Sequence, residues 1–566
     1  MEWEIKAEPE KVLHHSSIKS RIVSQIVSKR LSDDNDLMNE FLSSDLSLLY
    51  PPSELKNAKE AAEVLKQAIQ NNETIVIHGD YDVDGIMSTF ILYKTLKDLG
   101  GSVGWFLPNR KKDGYGIAQR FIDICKTTNP SIVVTVDCGI TAHKQIEELK
   151  SFGIDVIVLD HHTVDDTGIP KEAKIVVDPK QAKETNPFID CAGVGVVFKV
   201  CWALSEKLSE KLPYSLPDFL KMLIPYVGVG TVADVMPLID ENRIIVSEAM
   251  KAINEGRIQG GLKYIIEASK LTLGEITARD VAFMVGPRVN SAGRIDDPSV
   301  ALKCLINNDR SLAYKLDVLN TQRKEISQET LNEALEKVKE QCDIENDPII
   351  VVVGNDWHGG VVGIVAGNLC EEFHKPCIVL SAHGDIAKGS GRSIEGFNLL
   401  EAVSKAEKYL NRYGGHAQAL GLEIEVDNID KFRKKLRSIK HKKLIASTGV
   451  KKIQIDGIVR LSEITPNVMR ELNILEPFGE QNPEPIFIAE AVEAVDFRTM
   501  GSSGIHFSAL FVQDDTSFRG VGFNAPNLIE MFEEGHTIFN IAFYPVWNTF
   551  SGTKSLEIRI KDLKPL

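Results

Sequence analysis

Four short patches of acids and histidines recur along the chain: His78-Gly-Asp80-Tyr-Asp82-Val-Asp84-Gly85, Asp137-Cys-Gly139, Asp160-His161-His162 and Asp178-Pro179. Carboxylates alternating at 80, 82 and 84 repel one another at close range unless something pairs them. A divalent cation removes that repulsion. Carboxylate plus imidazole donors suit Mn²⁺ or, with more oxygen donors, Mg²⁺. Each patch taken singly also has a plainer reading. A DxDxDG run can be a calcium loop or a solvated turn, and a His-His pair often sits on a surface or in a core. The EF-hand form of the calcium loop is excluded, because Leu92, not a Glu, stands near its twelfth position.

The case for one shared site comes from what precedes the patches. Each follows a continuous apolar run: TIVIH (74–78), SIVVTV (131–136), IDVIVL (154–159) and AKIVV (173–177). Such β-branched runs suit strands buried on both faces of a parallel sheet. A helix is expected before them, from Asn57 to Gln70, and others between them, from Met87 to Leu99 and from His143 to Phe152. Alternating β and α predicts an open α/β sheet, in which ligands collect outside the carboxyl ends of the strands. The four patches are therefore expected in one crevice.

Further along, residues 193–308 read as mostly helical. Residues 311–341 carry no Gly or Pro, and Leu312, Leu316, Leu319, Ile326, Leu331, Leu335 and Val338 recur at near-helical spacing. That predicts one long helix bridging two domains. PIIVVVG (348–354) opens a second α/β unit, and short strands from Lys451 onward predict a small antiparallel β-barrel of the OB kind. The run KFRKKLRSIKHKK (431–443) reads as a helix with an apolar stripe of Phe432, Leu436 and Ile439 and a solvated basic face. Phe523, Trp547 and Phe550 are either barrel core or base-stacking groups.

Composition sets the outer bounds. Apolar residues at 43% and charged residues at 26% of 566 exclude a mainly disordered chain. Nothing approaches a continuous ~20-residue apolar span, and the start, MEWEIKAEPEK, lacks the pattern of a signal peptide. Eight dispersed cysteines without a CxxC pair argue against a zinc ribbon or disulfide framework and fit a cytoplasmic location. The net charge of −15 weighs against a nucleic-acid partner only until the placement of the charges is known.

GDYDVDG (79–85), DCG (137–139) and DHH (160–162) resemble the motif blocks of the DHH phosphoesterase superfamily. GTVADVMPL (230–238) and PRVNSAGR (287–294) are similar to blocks of its RecJ branch. WHGGVVGIVAGNL (357–369), GSGRS (389–393) and GGHAQALG (414–421) resemble the DHHA1 domain, and LEPFGEQNPEPIF (475–487) resembles the start of the RecJ OB domain. The resemblance is collinear over almost the whole chain. It implies an N-terminal segment (1–55), a DHH catalytic domain (56–308), a connecting helix (309–345), a DHHA1 domain (346–446) and an OB-like nucleic-acid-binding domain (447–566).

The activity implied is single-stranded-DNA-specific 5′→3′ exonuclease action in repair and recombination, with two Mn²⁺ or Mg²⁺ ions. By the same resemblance Asp82, Asp84, Asp137, His161 and Asp234 hold the metals, with Asp137 bridging. Asp80 and Asp160 are partial ligands or orient imidazoles, and His162 faces the phosphate or leaving group. Arg288 and Arg294 flank the scissile phosphate. Ser390, Gly391 and Arg392 hold the terminal 5′-phosphate with backbone donors freed by Gly389 and Gly391, and Gly414, Gly415 and His416 form the facing loop. The partners implied are single-stranded DNA, a RecQ-type helicase and a single-strand-binding protein, with no membrane. Two departures stand out: Gln481 replaces a barrel-block glycine, and His78 is either a ligand or strand-end packing. The competing functions are a DHH phosphodiesterase of short oligonucleotides or cyclic dinucleotides, and a non-catalytic strand-binding scaffold.

Overall fold

The computed structural model describes the chain except for residues 1, 8–11, 14, 32–34, 111, 115, 183–185, 439–451, 502–503 and 549–554. The expected stripe residue Ile439 and the aromatic Phe550 lie outside the described residues. The chain divides into two units. One comprises Met1–Ser44, Leu238–Arg243 and Val450–Leu566; the other comprises Asp45–Pro237 and Ile244–Gly449.

The larger unit opens with helix α1 (Ala58–Gln70) and a five-stranded parallel sheet. Its strands are β1 (Thr74–Gly79), β2 (Ser102–Phe106), β3 (Ile132–Val136), β4 (Asp155–Leu159) and β5 (Ile175–Val177), in the order β2-β1-β3-β4-β5. The β-branched β3 is buried along its whole length, as a central parallel strand requires. Strand order reverses between β1 and β3, the switch point where such sheets open a crevice. Asp80 follows one of these strands and Asp137 the other. β2 (SVGWF) has no counterpart among the expected strands, because Gly104 and Trp105 interrupt its β-branched character.

Helix α2 spans Val83–Asp98 and so begins four residues before the expected Met87. The cause is a cap: the Asp82 carboxylate accepts from Gly85 N at 3.1 Å. Apolar periodicity marks only the buried stripe and misses this polar first turn. Asp84 consequently sits in a helix rather than a loop. Helices α3 (His143–Ser151), α4 (Gly193–Lys207) and α5 (Leu216–Ala233) follow. By length and composition α5 could cross a membrane, but 61% of it is buried inside the protein and it ends at Asp234. That is the character of a core helix.

Helix α6 (Gly286–Ile295) leads to the long α7 (Arg310–Gln341), 32 residues and ~48 Å in length. Asp309 caps it by accepting from Ser311 N and Leu312 N. Ala313, Leu316 and Leu319 are buried in its first half, while Ala334 and Val338 join the core of a second α/β layer. In that layer β6 (Ile350–Asn355), helix α8 (Val362–Phe373), β7 (Cys377–His383), β8 (Ile386–Arg392), β9 (Leu410–Gly415) and β10 (Ala419–Glu425) give the sheet order β9-β10-β8-β7-β6. Helix α9 (Ile429–Ser438) buries Phe432 and Leu436 against this sheet and exposes Lys431, Lys434 and Arg437, as the pattern predicted, but Arg433 departs from it by turning inward to donate to Val351 O.

In the smaller unit, β11 (Gly457–Ile458), β12 (Phe487–Met500), β13 (His506–Gln513), β14 (Thr516–Gly522), β15 (Ile538–Asn548) and β16 (Ser555–Pro565) form an OB-type sheet. Pairing of β12 with β15 closes five of these strands into a barrel around Phe487, Phe507, Phe511, Phe539 and Phe543. The expected first barrel strand divides: Lys452–Ile455 pairs instead with Glu2–Ile5. Trp547 packs against the barrel core, whereas Phe523 is exposed. Gln481 takes the left-handed φ of 55° that a glycine adopts more easily, beside Asn482, whose buried amide donates to Leu475 O and Pro477 O.

Candidate active site

The strand ends place each acid by a specific local device. After β1 the chain turns so tightly that a Cβ on Gly85 would meet the Asp80 carbonyl oxygen at 2.5 Å. The Asp84 carboxylate accepts from Gly193 N at 2.7 Å and Val194 N at 2.8 Å, the start of α4. Asp137 leaves β3 at φ 59°, a conformation uncommon outside glycine, with its N–H on Leu159 O. Gly193 meets it: a Cβ there would lie 2.8 Å from Asp137 Cβ. Asp234 is the C-cap of α5.

These groups converge on His161. Its Nε2 lies 3.3 Å from Asp137 Oδ1, 3.5 Å from Asp234 Oδ2 and 3.9 Å from Asp84 Oδ2. Three sets each bring donor atoms within 4.8 Å of one another: Asp84 with His161 and Asp234, Asp137 with His161 and His162, and Asp80 with Asp82 and Asp137. Asp137 belongs to two of them. Both ring nitrogens of His161 and Asp234 Oδ2 are buried without a hydrogen-bond partner.

Electrostatics point the same way. Burial, then repulsion from Asp82, holds Asp80 well above the usual carboxylate range; burial, then Asp84, does the same to Asp137. Burial and Asp82 push Asp84 up to about 7, and burial and Asp84 push Asp234 up to about 9. Burial and the neighbouring His162 push His161 down to about 3, leaving a neutral imidazole with one ring nitrogen free to offer its lone pair. Crowded buried acids around unpaired donor atoms fit a divalent cation, and an oxygen-rich set with one or two imidazoles fits Mn²⁺ or Mg²⁺.

His162 is prepared differently. Its Nδ1 lies 2.7 Å from Asp160 Oδ1. Asp160 also accepts from Ile140 N, His161 N and His162 N. Burial opposes the imidazolium, but the Asp160 hydrogen bond and charge prevail and raise His162 to about 9. Burial likewise opposes the Asp160 carboxylate, and the His162 contact overrides it and lowers that pKa. Across from His162 stands His416, its ring tilted only 13° and its centroid 6.4 Å away.

The second feature is a group of arginines. Burial, then Arg110, Arg323 and Arg392, pushes Arg294 down to about 10. Burial and Arg110 lower Arg392, and burial and Arg288 lower Arg323, whose Nε is buried without a partner. Mutually repelling guanidiniums of this kind invite a dianion. Near the start of α8, Gly363 leaves the space: a Cβ there would lie 3.2 Å from both Arg392 Nη2 and Ser390 Oγ. The helix N-terminus thus faces the same place as the arginine and the hydroxyl.

Other expected residues lie elsewhere or act otherwise. Arg288 is tied to Asp317 Oδ1 at 2.9 Å and Met284 O at 2.7 Å, so its guanidinium is already engaged. His78 stacks on Phe106 and meets Phe121 edge-on, and burial pushes it down to about 4. The expected freeing of backbone donors by Gly389 and Gly391 is corrected by the sheet: both lie in β8, hydrogen-bonded between β7 and β10. They are glycines for lack of room, since Cβ atoms would meet Val379 O at 2.1 Å and Leu399 Cδ2 at 2.8 Å. Gly414 and Gly415 end β9, leading into the turn that carries His416. Sequence reasoning missed Arg110, in a loop after β2, and Arg323, inside α7. Only their position among other arginines in space singles them out.

Three family models match the chain: the DHH family N-terminal domain over residues 74–224, the DHHA1 domain over 346–442 and the RecJ OB domain over 455–562. The single-stranded-DNA-specific exonuclease RecJ of Bacillus subtilis is 34% identical across 99% of this chain and 70% of its own length. The Escherichia coli protein of the same description is 33% identical across 92% of both chains. The chain belongs to the RecJ family. Among solved structures it is similar to RecJ of Thermus thermophilus in complex with Mn²⁺, with a TM-score of 0.79 and 29% identity over 96% of this chain and 76% of that one. Asp234, Arg294 and Arg323, on α5 through α7, lie between the stretches matched by the DHH and DHHA1 models.

Proposed function

We infer that this protein is a metal-dependent exodeoxyribonuclease that digests single-stranded DNA from its 5′ end and releases nucleoside 5′-monophosphates. The observation that carries this reading is the joining of two clusters. Acids and imidazoles at the strand ends connect to arginines through Arg110, which acts electrostatically on Asp80, and through His416 opposite His162. The first cluster suits a scissile phosphodiester and the second a terminal phosphate.

Asp82, Asp84, Asp137, His161 and Asp234 would hold two ions, Mn²⁺ or Mg²⁺, with Asp80 supplementing them and Asp137 shared. Bound there, the ions acidify an attacking water and stabilise charge on the phosphate. Arg392, Ser390, Arg294 and the N-terminus of α8 hold the 5′-phosphate and so fix which phosphodiester reaches the acids. Water adds to phosphorus and the bond to the 3′-oxygen of the terminal nucleotide breaks. His162, kept protonated by Asp160, supplies the proton that this oxygen takes up. The shortened strand keeps a 5′-phosphate and can re-enter the same pocket.

The barrel is of the OB type, a fold that binds single-stranded nucleic acid. Acids neutralised by metal ions account for part of the net charge of −15, and a cleft lined by arginines lets an acidic protein accept DNA. An enzyme confined to single strands depends on a source of them; a RecQ-type helicase that opens duplex and a single-strand-binding protein that keeps strands apart would supply it in repair and recombination. All eight cysteines are free, which favours a cytoplasmic location. The test compares long 5′-phosphorylated single-stranded DNA with a dinucleotide and with pyrophosphate in Mn²⁺. Strong preference for the long strand is expected. Preference for the small substrates would assign a different phosphodiesterase activity.

A further inference from the structure

We infer that Lys180 is a positioning residue for the metal centre: its ammonium holds the main chain of His161, so that this imidazole faces the acids. The inference rests on the reading of His161 as a metal ligand and adds to it a residue outside the three donor sets.

The fourth strand-end patch, Asp178-Pro179, enters none of those sets. Its role follows from the strand register. β5 pairs with β4 so that Val177 stands opposite Leu159, and Asp160 N donates to Val177 O at 3.1 Å. Asp178 therefore leaves β5 beside the point where Asp160 leaves β4. The chain then makes one short turn, Pro179–Ala182, which three side chains fix. Buried Asp178 accepts from Lys180 N at 2.7 Å. Gln181 Nε2 donates to Val176 O at 2.9 Å, and Asn186 Nδ2 donates to Pro179 O at 3.2 Å. From this anchored turn Lys180 reaches back across the strand ends, and its Nζ donates to the carbonyl oxygen of His161.

That carbonyl is one of two handles on His161. The other is its N–H, which donates to Asp160 Oδ1 at 2.8 Å. Metal-binding histidines are ordinarily oriented by a hydrogen bond at the second ring nitrogen. Neither ring nitrogen of His161 has such a partner, so the main chain carries that task, and Asp160 and Lys180 grip it from both sides. The charge of Lys180 also acts on His161 and Asp234. A cation near the donor atoms repels a divalent metal ion. The two effects of Lys180 on metal affinity therefore have opposite signs. Only positioning predicts a loss when the residue is removed.

The test reads Mn²⁺ affinity of the full-length protein by calorimetry and needs no turnover. Lys180→Met removes the donor and the charge while keeping most of the side chain. It is expected to weaken Mn²⁺ binding about tenfold, the low end for losing a group that orients a ligand. His161→Ala should weaken binding too. Adding Lys180→Met to His161→Ala should then cost nothing further, because the positioned imidazole is already gone. A general structural defect would instead add to the His161→Ala loss. Unchanged or tighter Mn²⁺ binding in Lys180→Met would overturn the inference and leave His161 as a ligand, as would losses that add in the double variant. Unaltered affinity in His161→Ala would overturn the inference together with the ligand reading.

Discussion

His162 Nδ1 lies 2.7 Å from Asp160 Oδ1, and this one contact separates the roles of two consecutive histidines. His162 is raised to about 9 and carries an added proton, while His161, buried beside it, falls to about 3 and keeps the lone pair of one ring nitrogen for a metal. Asp160→Asn removes the charge that sustains the imidazolium. The alkaline limb of the pH–rate profile should move from near 9 toward the ordinary histidine range, with activity falling about 10- to 100-fold. An unmoved limb would detach His162 from proton delivery.

Asp137 stands in two of the three donor sets, at the switch point between β1 and β3. Asp137→Ala should abolish cleavage. Removing a buried acid that its neighbours repel should also leave the metal-free protein at least as stable as the wild type. Thermal unfolding with and without Mn²⁺ separates the two effects: the metal-induced rise in Tm should largely vanish in the variant. Unchanged turnover would remove Asp137 from the site.

The raised carboxyls make metal affinity pH-dependent with a definite sign. Asp84 at about 7 and Asp234 at about 9 are protonated below those values, and a cation must displace the protons. Their folded pKa values exceed the unfolded ones. Their contribution to the metal-free fold is therefore full at pH below about 4 and is lost as pH rises through 7 and 9. Mn²⁺ affinity should strengthen between pH 6 and 9 with proton release, and the Tm gap between loaded and metal-free protein should widen over that range. Calorimetry in buffers of different ionisation enthalpy measures the protons released.

Arg392→Ala should lower kcat/KM about 10- to 100-fold on 5′-phosphorylated strands, the cost of a lost charged hydrogen bond. Strands ending in a 5′-hydroxyl should lose much less. Arg323→Ala, at a position that pattern reading did not single out, should show the same selectivity in weaker form. Equal loss on both ends would place these arginines away from the terminal phosphate.

What could be read from the chain followed the physics of burial. Continuous β-branched runs expose parallel strands, and strand ends locate ligands in any open α/β sheet, so Asp80, Asp137, Asp160 and His161 were legible before any coordinates. Asp84 was legible as an acid but not as a helical residue, because the cap at Asp82 extends α2 beyond its apolar stripe. The arginine group was only half legible. Arg110 and Arg323 are separated by more than two hundred residues, and nothing local distinguishes either from a solvated cation. Gly389 and Gly391 show the opposite limit: a glycine pair suggests free backbone donors, whereas the sheet requires it for want of space.

The most direct measurement follows long single-stranded DNA labelled at the 5′ end or at the 3′ end, incubated with the protein and Mn²⁺. The 5′ label should pass straight into mononucleotide without intermediate lengths, while the 3′-labelled strand shortens in steps, and the matching duplex should remain intact. Release of 5′-labelled fragments of mixed length, shortening from the 3′ end, or tight strand binding with no mononucleotide at all would contradict the account.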